Sequence, residues 1–158
     1  MSRIAAIALG SNLASPWGDR EATLREAIAR VAKLGAVRGV SSFHDTEPVG
    51  IADQPNFLNG AMLLQTELEP VELMRELLAI ERAMGRDRAS APVKGPRTID
   101  LDLLLMDDAV LQTDELTLPH PAMAERRFVL EPLAEIAPQM VHPVFGRTVA
   151  ELLAGLIQ

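Results

Sequence analysis

The spacing of apolar residues divides the first third of this chain into a strand, a helix and a second strand. A short apolar run over residues 4–9 predicts a buried strand that leads into a turn. Apolar residues recur at helical spacing over residues 19–34 and predict a first helix, which Gly35 ends. Residues 36–46 alternate imperfectly between apolar and polar, and they predict a second strand.

The middle of the chain predicts a strand, a helix and a further strand. Two prolines and a glycine make residues 46–56 a structured loop, and residues 57–67 return as a strand whose apolar centre places it inside the sheet. Pro70 suits the start of a second helix, which ends at Gly85 and carries the apolar stripe Leu73, Leu77, Ile80 and Met84. A strand over residues 99–106 follows. This order predicts an α+β fold, a ferredoxin-like βαββαβ core with helices on one face of an antiparallel sheet.

The remaining residues predict a C-terminal extension of this core. Its predicted elements are a turn at residues 107–108, a short strand at 110–111, and helices at 129–136 and 148–157. There is no internal repeat and no low-complexity linker. A chain of 158 residues without these features predicts a single domain over residues 1–158.

Two carboxylates interrupt the last apolar strand of the core. Successive side chains of a strand point to opposite faces, so Asp100, Asp102 and Leu104 are expected to share one face. The other face is expected to carry Ile99, Leu101, Leu103 and Leu105. Aspartate is depleted in strands and an unpaired buried carboxylate is costly, so we expect a cation between the two aspartates. Arg97 and a divalent metal ion are the candidates.

Composition indicates an ordinary globular domain, with 48% hydrophobic and 23% charged residues. The chain has no cysteine, which excludes a disulfide framework, a thiol nucleophile and a zinc–thiolate site. Its first apolar run is too short to span a membrane and lacks the cleavage region of a signal peptide. The formal net charge of -7 argues against general nucleic-acid binding. We therefore expect a cytoplasmic protein with neither a nucleic-acid nor a membrane partner, and we expect a monomer.

Basic residues cluster just before the aspartate strand. Residues 82–97 contain five of the 15 basic residues and one acid, Asp87. This excess indicates either an anion-binding patch or a solvated loop after a helix. Magnesium commonly takes one or two carboxylates together with substrate phosphates, so the aspartates beside this patch resemble a phosphoryl-transfer site. In the simpler alternative, Arg97 only neutralises Asp100.

Without a known nucleotide-binding loop, side chains are expected to hold any nucleotide that the protein binds. The chain has no glycine-rich phosphate loop, no dinucleotide fingerprint and no serine-elbow motif. Phe57 stands near Asn59 and Phe128 near Arg126, and each pair suits stacking against a flat heterocycle, although core packing is the default for either ring alone. His120 lies in Leu-Pro-His-Pro, where a histidine is more often a turn residue than a ligand.

A series of short motifs occurs in order along nearly the whole chain. They are Leu9-Gly10-Ser11-Asn12, Thr46-x-Pro48-x-Gly50, Gln54-Pro55-x-Phe57-x-Asn59, Glu81-x-x-x-Gly85-Arg86, Gly95-Pro96-Arg97-x-Ile99-Asp100-Leu101-Asp102, Leu118-Pro119-His120-Pro121 and Arg126-x-Phe128-Val129-Leu130-x-Pro132-Leu133. In this pattern the chain resembles the 6-hydroxymethyl-7,8-dihydropterin pyrophosphokinases of folate biosynthesis. The Gly-Pro-Arg-x-x-Asp-x-Asp element is the signature of that family.

The resemblance implies an enzyme that transfers pyrophosphate from ATP to the hydroxymethyl group of the pterin and releases AMP. It implies two Mg²⁺ ions held by Asp100 and Asp102, and a catalytic group of Asp100, Asp102, Arg86 and Arg97. The residues that it implies for ATP binding are Glu81, Arg86, Arg88, Arg97, Leu103, Thr117, His120 and Arg126. Those that it implies for pterin binding are Thr46, Glu47, Val49, Phe57, Asn59, Asp100 and Phe128, with the two rings stacking on the pterin and Asn59 reading its amide edge.

The chain departs from some members of that family at three positions near the implied nucleotide site. Lys94 stands where better-known members often have tryptophan. Glu115 and Pro121 replace an arginine and a tyrosine that some members have. The resemblance therefore implies no role for Glu115 and Pro121, and it leaves the role of Lys94 and of the loop over residues 86–95 open.

Two other functions compete with this one. A non-catalytic ferredoxin-like module could bind a small molecule for regulation, but it would have no need to gather Asp100, Asp102 and Arg97 around a phosphate group. A nucleotide-dependent transferase could act on another hydroxyl group. Asn59 between two aromatic residues favours a flat ring that carries an amide, and only the resemblance names that ring as a pterin.

Overall fold

A computed structural model describes residues 2–13, 15–47, 56–85 and 98–156. The strands are β1 (Arg3–Ser11), β2 (Ala36–Val40), β3 (His44–Thr46), β4 (Phe57–Thr66), β5 (Asp100–Met106), β6 (Leu111–Gln112), β7 (Thr117–Leu118), β8 (Val141–His142) and β9 (Arg147–Thr148). The α-helices are α1 (Arg20–Val31), α2 (Pro70–Ala83), α3 (Arg127–Ile136) and α4 (Val149–Ala154). Short 3-10 turns lie at Ala32–Leu34 and Met123–Glu125.

The main sheet has the strand order β2-β4-β1-β5, and β3 pairs with the first part of β4. Every pair is antiparallel. β1 and β4 pair along their length, from Arg3 opposite Thr66 to Ser11 opposite Leu58, and they form the centre of the sheet. α1 connects β1 to β2, and α2 connects β4 to β5. The predicted α+β fold with a ferredoxin-like βαββαβ core is confirmed.

Helices cover both faces of the sheet. α1 and α2 pack on one face, where Leu24 and Leu73 join Ile7 in the larger buried apolar cluster. α3 and α4 pack on the opposite face, where Leu130 and Val149 belong to a second buried cluster. The predicted one-face arrangement therefore holds for the two core helices, and the C-terminal extension supplies the helices of the second face.

Local sequence explains both ends of α2. Pro70 occupies the first turn, where its missing N–H leaves no helical hydrogen bond unmade. Glu69 and Glu72 form a capping box, in which the backbone N of Glu69 donates to Oε1 of Glu72 at 2.9 Å. Gly85, just beyond the helix, has a φ of 94°, a conformation that favours glycine. The predicted start and end of this helix are confirmed.

The single strand predicted over residues 36–46 is wrong, because the structure divides it into β2 and β3. Val40 and His44 are four positions apart, but their partners on β4 are only three positions apart. Oγ of Ser41 accepts a hydrogen bond of 2.9 Å from the backbone N of Ala61, in place of a main-chain carbonyl. The extra residue bulges out of the ladder and leaves β3 as a short edge strand.

A bulge in β5 overturns one predicted side-chain orientation. Leu103 lies opposite Ile7 and Leu105 lies opposite Ala6, so Leu104 is an extra residue between them. Beyond the bulge the alternation reverses, and Leu105 packs with Leu104 in the cluster beneath α3. The prediction that Leu105 shares the face of Leu103 is therefore wrong.

The same bulge anchors the chain segment that carries His120. The backbone N of His120 donates to the carbonyl oxygen of Leu104 at 2.9 Å. Just before it, the Leu118–Pro119 peptide bond is cis, and Leu118 pairs with Leu111 in the two-stranded sheet of β6 and β7. His120 is thus held against the strand that carries the two aspartates.

The C-terminal extension contains a hairpin that the sequence did not predict. β8 and β9 form this hairpin, and Thr148 at its end caps α4 by accepting from the backbone N of Glu151 at 3.1 Å. α4 ends at Ala154, before Gly155. The predicted helix over residues 148–157 is therefore too long.

Candidate functional site

A cleft lies between α3 and one end of the main sheet. Gly10 of β1 lies on its floor between two register partners, Asn59 of β4 and Asp100 of β5. α3 supplies part of the opposite wall through Phe128 and Val129. The residues that line the cleft are Ala8, Leu9, Gly10, Thr46, Glu47, Phe57, Asn59, Gly60, Asp100, Asp102, Arg126, Phe128 and Val129.

The two aspartates of β5 both face this cleft. Asp100 and Asp102 are half-buried, and they precede the bulge, so the predicted shared face is confirmed. Between them, the backbone N of Leu101 donates to Oε2 of Glu81 at 2.7 Å. Glu81 reaches this amide from α2 and is 1% exposed. A hydrogen bond to a buried carboxylate is stronger than one between neutral groups, so Glu81 fixes the backbone that presents both aspartates.

The chemistry of this pair suits a hard divalent cation. Mg²⁺ takes oxygen ligands, and it commonly binds to one or two carboxylates while water and substrate phosphates fill its other positions. Asp100 and Asp102 supply two such carboxylates on one wall of a cleft. Within the described ranges, no cluster of three or more His, Cys, Asp or Glu side chains is arranged to hold a metal ion. The residues present fit Mg²⁺ that shares its coordination with a phosphate-bearing ligand.

The floor of the cleft is shaped by a glycine and an oriented amide. Nδ2 of Asn59 donates to Oγ1 of Thr46 on the neighbouring strand. A Cβ added at Gly10 would lie 3.1 Å from Oδ1 of Asn59, 3.8 Å from the ring of Phe57 and 3.9 Å from Cβ of Asp100. The missing side chain at Gly10 therefore leaves a flat space among an acceptor oxygen, an aromatic ring and a carboxylate.

The α3 side of the cleft combines an aromatic ring with a positive charge. The guanidinium carbon of Arg126 lies 5.6 Å from the centre of the Phe128 ring, within the range of a cation–π contact. Both side chains are half-buried and both line the cleft. The positive charge of Arg126 therefore faces the same space as the two aspartates.

His120 is a neutral donor at the edge of this charge arrangement. Burial lowers the pKa of His120 below its usual value, and the nearby positive charge of Arg126 lowers it further, against the opposing effect of Asp100. Nδ1 of His120 accepts a hydrogen bond of 3.2 Å from the backbone N of Ala122. The neutral ring then carries its proton on Nε2, which suits it to donate to an anion.

The lowered pKa of His120 predicts a pH dependence of stability. The unfolded chain binds a proton at this residue near pH 6.5 and the folded chain binds it only at lower pH, so the contribution is present above about pH 6.5 and is lost as pH falls through the folded pKa. We expect the free energy of unfolding to fall less between pH 7 and pH 5 in His120→Gln than in the wild type. The difference in slope is at most about 1.4 kcal/mol per pH unit, the limit for one proton.

Urea denaturation at several pH values measures this difference. Burial also lowers the pKa of His142, which does not line the cleft, so part of the loss of stability in acid persists in the His120 variant. The double variant His120→Gln/His142→Gln should reduce the slope further. An unchanged slope in His120→Gln would contradict the role of burial at this residue.

The structure describes twelve of the residues implied by the resemblance, and it brings eight of them to one cleft. Those that line it are Thr46, Glu47, Phe57, Asn59, Asp100, Asp102, Arg126 and Phe128. Glu81 lies beneath the aspartate strand, and Thr117 lies in β7. The Leu103 side chain is buried in the core cluster on the opposite face of the sheet, so only its main chain could reach a nucleotide on the cleft side. Val49, Arg86, Arg88 and Arg97 lie outside the described residues.

Gly10 is part of this cleft, although it was not among the site residues expected from the sequence. A glycine inside an apolar strand often marks a close approach of a ligand or of another chain segment, and this signal was present in the sequence. Its partners across the two neighbouring strands, Asn59 and Asp100, follow only from the register.

The structure accounts for one departure from the family pattern. Nε and Nη2 of Arg75 on α2 donate to the carboxylate of Glu115 at 2.6 and 2.8 Å. Glu115 therefore takes part in a surface ion pair between α2 and the segment between β6 and β7. Pro121 is exposed, and Lys94 lies outside the described residues.

The fold and the cleft together define a class of protein. It is an α+β protein with a ferredoxin-like core, in which two carboxylates, an oriented amide and two aromatic rings can hold a planar heterocycle beside a metal-bound phosphate group. The model of the 7,8-dihydro-6-hydroxymethylpterin-pyrophosphokinase (HPPK) family matches residues 6–138, a range that contains every motif behind the resemblance. The chain belongs to the HPPK family.

Curated relatives agree with this membership. A 2-amino-4-hydroxy-6-hydroxymethyldihydropteridine pyrophosphokinase of Bacillus subtilis is 48% identical over 142 residues, which cover 89% of this chain and 81% of the relative. The enzyme of the same name from Pseudomonas aeruginosa is 45% identical over 149 residues, with 94% and 89% covered. The folic acid synthesis protein fol1 of Schizosaccharomyces pombe is 38% identical over 98% of this chain, which spans only 21% of that protein.

Solved structures agree on the fold. The crystal structure of wild-type Plasmodium falciparum HPPK-DHPS matches with a TM-score of 0.73 at 14% identity, over 98% of this chain and 44% of that chain. This chain therefore corresponds to less than half of that protein. Among the described residues, no helix has the length and apolar character needed to span a membrane.

Proposed function

We propose that this protein transfers pyrophosphate from ATP to the hydroxymethyl oxygen of 6-hydroxymethyl-7,8-dihydropterin and releases AMP, a step of folate biosynthesis. One observation carries the proposal. A single cleft joins the acidic pair Asp100 and Asp102 to the amide of Asn59 and the rings of Phe57 and Phe128. The side chains suited to a flat ring thus lie beside those suited to a metal-bound phosphate, and the transfer of a group between two small substrates requires such proximity.

The pterin is assigned to the floor over Gly10. Its flat ring fits between Phe57 and Phe128, where stacking contributes beyond simple area burial. Oδ1 of Asn59 accepts an N–H from the amide edge of the ring. Because Nδ2 of Asn59 is engaged by Thr46, the acceptor atom keeps its place before the substrate arrives. Thr46, Glu47 and Val49 are assigned to the same edge of the pterin.

The triphosphate of ATP is assigned to the part of the cleft lined by Asp100 and Asp102, here called the aspartate side. Asp100 and Asp102 would hold two Mg²⁺ ions, which when bound neutralise phosphate charge and lower the pKa of a coordinated hydroxyl group. Arg126 and His120 lie on this side, and both can donate to phosphate oxygens. Glu81, Leu103 and Thr117 complete the assigned nucleotide side, and Arg86, Arg88 and Arg97 are assigned to ATP by the family pattern alone.

The proposed reaction follows from holding the pterin and the triphosphate of ATP side by side in the cleft. The hydroxymethyl oxygen attacks the β-phosphorus of ATP and its proton is lost to water. A new P–O bond forms, and the bond from the β-phosphorus to the oxygen that bridges it to the α-phosphorus breaks. AMP leaves with that bridging oxygen. The contribution of the protein is alignment and charge stabilisation, since no residue forms a covalent bond to the substrate.

Product analysis tests this function directly. Protein, Mg²⁺ and ATP are incubated with and without 6-hydroxymethyl-7,8-dihydropterin, and the nucleotides are separated by chromatography. We expect AMP, and only when the pterin is present. Release of ADP, or AMP release that does not depend on the pterin, would contradict the proposal. A regulatory module would bind the pterin without consuming ATP, and the same assay separates that alternative.

A further inference from the structure

Arg20 donates three hydrogen bonds at the outer edge of the sheet, and these contacts are together called the Arg20 bracket. Its Nη2 donates to Oδ2 of Asp45 at 2.8 Å, and its Nη1 donates to Oδ1 of the same carboxylate at 3.3 Å. Nη1 also donates to the main-chain carbonyl oxygen of Asn56 at 2.8 Å. One guanidinium group therefore joins α1 to β3 and to the residue that precedes β4.

The two anchored residues are direct chain neighbours of the cleft. Asp45 precedes Thr46, and Asn56 precedes Phe57; both Thr46 and Phe57 line the cleft. Thr46 and Phe57 are also register partners across the β3–β4 pair. Arg20 itself does not line the cleft, and it acts on the opposite side of β3 from the side chain of Thr46.

β3 is short and lies at the edge of the sheet, where side chains of two helices hold it: Glu135 of α3 pairs with His44, and Arg20 of α1 pairs with Asp45. β3 contains three residues and pairs with β4 alone among the described strands. Edge strands of this length hold their register weakly. A shift of β3 would move Oγ1 of Thr46, which receives the hydrogen bond that orients the amide of Asn59.

The charges of the bracket are mutually stabilised. The hydrogen bond to Asp45 raises the pKa of Arg20, and the hydrogen bond from Arg20 lowers the pKa of Asp45. Both side chains are partly exposed, and an isolated pair of this kind contributes little to stability. The fork geometry and the third bond to the Asn56 carbonyl give it a directional role that a simple surface pair lacks.

We propose that Arg20 is a positioning residue for the pterin side of the cleft, and that it acts through Asp45 and Asn56 to hold Thr46 and Phe57 at the spacing that the ring requires. This inference rests on the proposed function, which assigns the pterin to this part of the cleft. The aspartate side depends on β5, which the bracket does not touch, so binding of ATP is independent of Arg20.

Steady-state kinetics with each substrate varied in turn test the inference. We expect Arg20→Gln and Asp45→Asn each to raise KM for the pterin roughly three- to tenfold, because part of the binding energy is then used to order β3. KM for ATP and kcat should stay within about twofold of the wild type. Arg20→Lys keeps the charge but loses the fork, and its KM for the pterin should be intermediate.

A double variant and a matched control sharpen the test. Because both single changes break the same bracket, Arg20→Gln/Asp45→Asn should be no worse than either single variant. Arg3 is the control: it is 33% exposed, against 31% for Arg20, and it joins two elements through its ion pair with Glu69. Arg3→Gln should leave KM for the pterin unchanged.

Several outcomes would overturn the proposal. An unchanged KM for the pterin in folded Arg20→Gln would do so. A fall in kcat together with similar increases in both KM values, in a variant that urea unfolds more easily, would also do so. If Arg20→Gln does not fold, Asp45→Asn and Arg20→Lys decide the question by the same criteria. A wild-type protein without pterin-dependent AMP release would instead refute the proposed function, which separates the two failures.

Discussion

Asp102→Asn should reduce pyrophosphate transfer by about a thousandfold while the chain still folds. The change replaces a carboxylate by a neutral amide of nearly the same shape, so one of the two proposed ligands for Mg²⁺ is lost. Asp102 is half-buried in the cleft wall, and the strand on each side of it keeps its pairing with β1. Transfer is measured as AMP released at saturating ATP and pterin, and folding by the cooperativity of thermal unfolding.

A neighbouring aspartate provides the control for this prediction. Asp108 lies in the turn just after β5, is exposed, and does not line the cleft. Asp108→Asn removes the same charge and should leave transfer within about twofold of the wild type. Titration of Mg²⁺ should also show a weaker activation of Asp102→Asn. Wild-type turnover in the Asp102 variant would disprove the assignment of this carboxylate to the metal.

Asn59→Leu should raise KM for the pterin about a hundredfold and leave KM for ATP nearly unchanged. Leucine matches the amide in size but offers neither donor nor acceptor. The hydroxyl group of Thr46 then loses its partner, and in the proposed binding mode the edge of the pterin meets an apolar surface where it needs an acceptor. The measurement is the dependence of initial rate on each substrate.

A residue on the same strand serves as the control for this effect. Gln65 lies near the other end of β4, where its side chain forms hydrogen bonds with the side chains of Arg38 and Ser2 at the surface. Gln65→Leu should leave both KM values unchanged. Equal increases in both KM values for Asn59→Leu would indicate a general loss of structure and would reject a specific role of this amide in pterin binding.

Much of the fold could be predicted because its signals are local. Pro70 and Gly85 act on the backbone at their own positions, and the ends of α2 follow from them. Asp100 and Asp102 share a face because side chains alternate along any regular strand. The order of strands and helices then restricted the topology to the ferredoxin-like arrangement that the structure has.

The errors lie where a distant contact overrides a local pattern. The extra residue at Leu104 is tied to the amide of His120, which is 16 positions away, and it reverses the predicted orientation of Leu105. The break between β2 and β3 depends on the hydroxyl group of Ser41, which accepts from Ala61. Neither contact leaves a periodic signal near the affected residues, so spacing alone could not predict it.

By itself, the sequence determined the βαββαβ order of the core, the ends of α2, the shared face of the aspartates and, through its motifs, the family. Only the tertiary structure decided that Gly10 forms the floor of the cleft, that Thr46 orients Asn59, and that Arg20 bonds to Asp45 and Asn56 beside the cleft. The physical reason is one of range. Backbone preferences act over a few residues, whereas these contacts depend on a strand register that burial sets across the whole sheet.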